Sequence, residues 1–158
     1  MLTPVKAKKI RAEGTFAIVA SRYNARYVDA MLQAAKKTLS AAGAKIKIVR
    51  VPGAYEVPIV AARVARQSDE GEQISAIICL GVILRGETVH AAHIGEAVSQ
   101  ALMQIQLQHE VPVIHEVLLL ENEAQAKKRC LEKKHNRGME AAQTALEMSQ
   151  VMRGLRAE

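Results

Sequence analysis

His90 follows a glycine-bearing loop, Arg85-Gly86-Glu87-Thr88, that feeds a helix. The first turn of a helix carries amide N–H groups without intrahelical partners, and these bind anions. The positive helix end also favours neutral imidazole, which suits a group that moves protons near neutral pH. A plain surface histidine has the same spacing. His90 and His93 form H-x-x-H, but no acidic or cysteine ligand stands beside them, so no metal site is expected. Glu56 ends the run Val51-Pro52-Gly53-Ala54-Tyr55-Glu56. Glycine lets a backbone approach a ligand closely, and the carboxylate can hold a polyol chain. A helix start with a favourable acidic charge reads the same way. Tyr23 offers a ring that can cover a flat heterocycle or pack on the next helix. Arg129, Lys133, Lys134 and Arg137 cluster late in the chain, where arginine suits bidentate phosphate binding and an exposed basic helix end has the same composition.

Strand and helix signals alternate along the whole chain. Residues 15–20 (TFAIVA) are β-rich. Asn24 is placed to cap the next helix, whose Val28, Met31, Leu32, Ala35 and Leu39 share one face. Gly43 ends that helix. Residues 45–51 alternate, with Ile46 and Ile48 on one side. After the Pro52-Gly53 turn a second helix starts near Pro58. Gly71 closes a polar link over 67–73. Residues 74–83 are a fully apolar strand, as in the centre of a parallel sheet. A long helix follows with Ile94, Val98, Leu102 and Ile105 buried. Residues 111–119 form a fourth strand, and Asn122 caps a short helix through Leu131. A basic loop over 133–138 precedes a last helix over 140–152.

This order predicts an α/β three-layer sandwich: a four-stranded parallel flavodoxin-like sheet with helices on both faces. Ligands of such sheets bind beyond the carboxyl ends of the strands. That rule selects residues 21–24, 52–56, 85–90 and the stretch after Leu118, which hold most of the candidates above.

The chain has 158 residues and is expected to form a single domain over 1–158, with 1–13 as an N-terminal arm. Hydrophobic residues make up 49% and charged residues 24%, an ordinary globular balance. The longest apolar run, 74–84, is too short to span a bilayer, and no targeting segment is visible, so a soluble cytoplasmic protein is expected. Cys79 and Cys130 have neither zinc nor disulfide-framework spacing. The net charge is +6, yet aromatics are only 3% and no nucleic-acid module appears, so an anionic small substrate suits the charge as well as a solvated surface does. A flavin-nucleotide carrier would want a hydroxyl- and glycine-rich loop after the first strand, where Ser21-Arg22-Tyr23-Asn24 stands. A receiver module would want acidic residues at the ends of the first and third strands.

The motifs resemble those of the 6,7-dimethyl-8-ribityllumazine synthases. VPGAYEVP at 51–58 is similar to the family's V-P-G-A-F-E-x-P, and LGVILRGETVH at 80–90 to L-G-x-V-I-x-G-x-T-x-H. PVIHEVL at 112–118 and EAQAKKR at 123–129 match its P-V-x-x-x-V-L and x-x-Q-A-x-x-R; NRG at 136–138 and ALEM at 145–148 match its closing motifs. The likeness implies condensation of 5-amino-6-ribitylaminouracil with 3,4-dihydroxy-2-butanone 4-phosphate, with loss of phosphate and water, as the penultimate step of riboflavin biosynthesis. It implies no cofactor, no nucleic-acid or membrane partner, and a homo-oligomer of at least five copies whose sites lie between subunits. By position, Tyr23 covers the pyrimidine. Ala54, Tyr55 and Glu56 hold the ribityl-bearing substrate, and Val82, Ile83 and Leu84 continue that wall. Glu87 and Thr88 receive the phosphate, Arg129 clamps it, His90 moves the protons, and Glu140 and Lys133 support them. Arg129 and His115 are expected from the neighbouring subunit. The chain departs from the family pattern at His115, where phenylalanine is frequent over the ring, and at Glu116, where a small residue is common. It departs again in the 131–135 loop and at Arg137, which stands for a lysine. His115 is thereby a second candidate titrating group.

Overall fold

The structure, a computed structural model, describes residue 6 and residues 8–156. The expected arm over 1–13 lies partly outside the described residues. Its described part is anchored: Ile10 and Ala12 are buried, and the Ala12 N–H donates to the Ala42 carbonyl at 2.9 Å.

Four parallel strands form one sheet in the order β2-β1-β3-β4. They are β1 (Thr15–Ser21), β2 (Lys45–Val51), β3 (Ile74–Leu84) and β4 (Val113–Leu120). The helices are α1 (Ala25–Ala41), α2 (Val57–Asp69), α3 (His90–His109), α4 (Glu123–Cys130) and α5 (Arg137–Gly154), with a short 3-10 turn over Ala54–Glu56. This is the expected three-layer α/β sandwich.

Side-chain alternation sorts the core onto two faces. Phe16, Ile18, Ile78 and Leu80 point to α1, α4 and α5, whereas Ala17, Val19, Ile77 and Cys79 point to α2 and α3. β1 and β3 are covered on both sides, which is why their sequences are continuous apolar runs. Each large side chain buried there contributes about 1.5–3 kcal/mol relative to exposure. β2 is an edge strand and keeps polar residues. Ile46 packs against the core, while Ile48 on the same face stays exposed.

Two local expectations are corrected. Asn24 stands at the N-cap position of α1, but its side chain makes no cap bond. Its backbone is left-handed (φ 57°, ψ 42°), a conformation that asparagine tolerates, and the side-chain amide instead donates to the Val82 carbonyl at 2.7 Å. That bond ties the loop after β1 to the end of β3. The second correction concerns the last helix, which begins at Arg137 rather than Glu140. Asn136 is its cap, accepting from the Gly138 N–H at 2.8 Å and the Met139 N–H at 3.4 Å. The Asn136 amide also donates to the Cys130 carbonyl at 2.6 Å, which joins the end of α4 to the start of α5.

Candidate functional site

The carboxyl ends of β1, β2 and β3 and the first turns of α3 line an open cavity of about 840 Å³. Tyr23 and Asn24 line it from the loop after β1. Gly53, Ala54, Tyr55 and Glu56 line it from the turn after β2, and Val82, Ile83 and Leu84 from the end of β3. α3 contributes His90, His93, Ile94 and Ala97. Eight of the sequence-derived candidates therefore share one wall system: Tyr23, Ala54, Tyr55, Glu56, Val82, Ile83, Leu84 and His90.

The turn after β2 shapes this wall. Gly53 has extended backbone (φ −132°, ψ 179°) that any residue adopts, so the glycine is needed for space rather than for conformation. A Cβ there would stand 2.8 Å from Tyr23 Cδ2 and 3.0 Å from Glu56 Oε2. The Tyr23 ring thus lies against bare backbone, and the Glu56 carboxylate sits beside it. The Gly53 N–H donates to Glu56 Oε2 at 3.0 Å, which orients that carboxylate along the cavity wall. Tyr23 is held from behind, its N–H donating to the Pro52 carbonyl at 3.0 Å. Tyr23 and Tyr55 nevertheless remain 68% and 65% exposed, leaving their rings free to receive a flat ligand.

His90 is the first residue of α3 and is exposed. Its N–H points to Thr88 Oγ1 at 3.4 Å. Glu87 and Thr88 precede it in an exposed loop and do not line the cavity. That loop is braced by Arg85, whose guanidinium pairs with Glu121 at 2.8 Å and whose N–H donates to the Leu120 carbonyl at 2.8 Å. Ends of β3 and β4 are thereby locked together just before the helix that carries His90.

His115, Arg129, Lys133 and Glu140 do not line this cavity. Arg129 and Lys133 are exposed, on α4 and on the loop after it. Glu140 accepts from Arg137 Nη1 at 2.9 Å, and no hydrogen bond joins it to His90. His115 projects from β4 on the α2–α3 side of the sheet. Its Nδ1 accepts from the Val117 N–H at 3.1 Å, and its Nε2 lies 2.7 Å from Ser99 Oγ on α3. Loss of hydration around the inward part of the ring pushes its pKa below the ordinary histidine value.

Glu116 and Arg137, both departures from the family pattern, are partners. Glu116 is buried on the α1–α4–α5 side. It accepts from Arg137 Nε at 3.1 Å and from Nη2 at 3.0 Å, a two-pronged geometry that only a guanidinium supplies. Burial pushes the Glu116 carboxyl upward, and the Arg137 charge pulls it back. Removing the cation alone leaves a carboxylate stranded. Arg137→Met is expected to cost roughly 2–4 kcal/mol, somewhat under the full penalty for a buried pair because the guanidinium reaches solvent. The double variant Glu116→Leu/Arg137→Met should recover most of that in chemical denaturation. Equal losses in single and double variants would contradict the pairing.

Sequence reasoning passed over Asn24, His93, Ile94 and Ala97 as wall residues. The last three were readable, since they follow His90 at three, four and seven positions on one helical face. The role of Asn24 depends on a left-handed backbone that composition does not reveal.

A family model described as 6,7-dimethyl-8-ribityllumazine synthase matches residues 13–153. A protein of that name from Xanthomonas campestris pv. campestris (strain B100) is 42% identical over 140 residues, covering 87% of this chain and 88% of the relative. Another, from Stenotrophomonas maltophilia (strain R551-3), is 40% identical over 143 residues, covering 89% and 90%.

Proposed function

The chain belongs to the 6,7-dimethyl-8-ribityllumazine synthase family of enzymes, and from that membership we propose that it condenses 5-amino-6-ribitylaminouracil with 3,4-dihydroxy-2-butanone 4-phosphate. The products are 6,7-dimethyl-8-ribityllumazine, phosphate and water, in the penultimate step of riboflavin biosynthesis. The observation that carries this reading is one cavity holding an aromatic ring, an oriented carboxylate and a histidine at a helix start. Tyr23 covers the pyrimidine, while Ala54, Tyr55 and Glu56 hold the ribityl-bearing substrate against Val82, Ile83 and Leu84. Glu87 and Thr88 receive the phosphate.

The amine attacks the ketone to give a Schiff base with loss of water. Elimination then releases phosphate, and a second condensation closes the ring with loss of a second water. Each step moves protons, and His90 donates and accepts them. Holding two substrates side by side lowers the barrier further.

The working unit in this reading is a cytoplasmic homo-oligomer, a pentamer at least. Two features support it. His115, Arg129, Lys133 and Glu140 do not line the cavity of their own chain, which leaves them to complete a neighbour's. α3 also carries Met103 and Leu107 exposed at helical spacing, an apolar stripe suited to a second copy. No helix among the described residues is long and apolar enough to cross a membrane.

The test is to mix the purified protein with both substrates and follow lumazine absorbance against the spontaneous reaction. Clear acceleration with nothing else added is the expected result. Tight binding of the pyrimidine with no acceleration would refute turnover and leave a binding protein on this scaffold.

A further inference from the structure

Ser99 lies on α3, nine residues after His90 and outside the cavity. Its hydroxyl makes two contacts: it donates to the Gly95 carbonyl at 2.8 Å and lies 2.7 Å from His115 Nε2. Proton positions in this chain of groups follow from chemistry. A carbonyl can only accept, so the single hydroxyl proton of Ser99 goes to Gly95. A backbone N–H can only donate, so His115 Nδ1, which faces the Val117 N–H at 3.1 Å, carries no proton. The ring proton therefore sits on Nε2 and points to the Ser99 oxygen. Both ring nitrogens are engaged from opposite sides, one by its own strand and one by α3.

This arrangement excludes two roles. Ser99 is not an activated nucleophile, because the nitrogen facing it is protonated. His115 is not a free base, because its one unprotonated nitrogen is occupied by a backbone donor. Adding a proton to Nδ1 would set two N–H groups against each other. No carboxylate among the described residues bonds the ring, and its register neighbour on β3 is Cys79.

We propose that Ser99 is a positioning residue which fixes His115 as a neutral, Nε2-protonated, immobile ring, so that His115 serves as a flat stacking surface rather than a second proton carrier. The inference rests on the reading above, in which His115 covers the pyrimidine bound by a neighbouring copy. It explains how a histidine can stand where the family frequently has phenylalanine. Imidazole alone is smaller, more mobile and able to charge; two hydrogen bonds restrain the ring and disfavour its cation.

The experiment compares the parent with Ser99→Ala and Ser99→Thr, the second of which keeps the hydroxyl. Nitrogen-15 NMR of histidine-labelled protein reads the tautomer without reference to activity. The parent is expected to show the Nε2–H form at His115, Ser99→Thr the same, and Ser99→Ala a mixture of forms. In steady-state kinetics Ser99→Ala should raise KM for the ribitylaminouracil about 2–10-fold, the value of one hydrogen bond, with KM for the butanone phosphate and Tm unchanged. Ser99→Thr should restore the parental KM. An Nδ1–H tautomer in the parent, an unaltered KM in Ser99→Ala, or parallel changes in both KM values and Tm would each overturn the proposal. Failure of the functional reading looks different: the parent itself would give no acceleration, whatever the tautomer.

Discussion

His90→Ala is expected to slow lumazine formation by about 10²–10⁴-fold, the usual contribution of a positioned general acid–base, without abolishing it. The residual rate has a physical source. The cavity that Tyr23, Glu56 and the end of β3 line does not depend on His90 for its shape, because His90 is an exposed residue at a helix start. Two substrates held together there still react faster than in solution. Steady-state rates of the folded variant check this. Complete loss of turnover, or a rate equal to the parent's, would contradict the division of labour between proton transfer and approximation. The same variant also probes the proposed shared site. If Arg129 clamps the phosphate from a neighbouring copy, then in randomly mixed oligomers of the His90→Ala and Arg129→Ala chains about a quarter of the interfaces pair an intact His90 with an intact Arg129. Co-refolded His90→Ala and Arg129→Ala chains should regain about that fraction of parental activity. Sites complete within one protomer would regain nothing.

Most of what places His90 is legible in the sequence, and the reason is periodicity. The apolar runs of β1 and β3 leave no alternative to two-sided burial, and the spacing of Val28, Met31, Leu32, Ala35 and Leu39 leaves none to an amphipathic α1. Alternating strands and helices then impose a parallel sheet and put the loops that carry Tyr23, Glu56 and His90 at one edge. What escapes is whatever depends on a single backbone conformation or on two distant residues. Asn24 has the composition of a helix cap, yet its left-handed φ turns the side chain toward Val82. Asn136 caps α5, but it stands in a stretch so basic that the helix is expected three residues later. Glu116 and Arg137 are each anomalous alone. Twenty-one positions apart, they are complementary only once β4 and α5 are packed together. His115 and Ser99, likewise on different elements, meet only once β4 and α3 are packed together.

Gly138→Ala is expected to cause the largest stability loss of any single methyl addition among the described glycines. Gly138 sits in the first turn of α5 where it crosses α1. A Cβ built there would lie 2.0 Å from the Met31 carbonyl oxygen, 2.5 Å from its carbon and 2.6 Å from Met31 Cα. All three are backbone atoms of a regular helix, so no rotamer change relieves the overlap. Either α5 moves away from α1, or α1 breaks. Moving α5 is costly on two counts: it opens the contacts that bury Ala141, Ala142 and Ala145, and it strains the Asn136 cap. The expected cost is at least about 3 kcal/mol, the upper part of the overpacking range. For a chain of this size that lowers Tm by about 6–12 °C. Gly154→Ala is the matched control, since nothing lies within 4 Å of its added Cβ. It should leave Tm unchanged or slightly raised. A Gly138→Ala protein that melts with the parent would mean that α1 and α5 are farther apart than these distances. The consequence reaches function as well. Arg137 and Glu140 flank Gly138 on the same turn, so displacing α5 misplaces both and, through Arg137, leaves Glu116 without its partner. A folded remnant of Gly138→Ala at low temperature should therefore have lost more activity than its residual stability accounts for, and a normal rate constant per folded molecule would show that the α5 start does not communicate with the site.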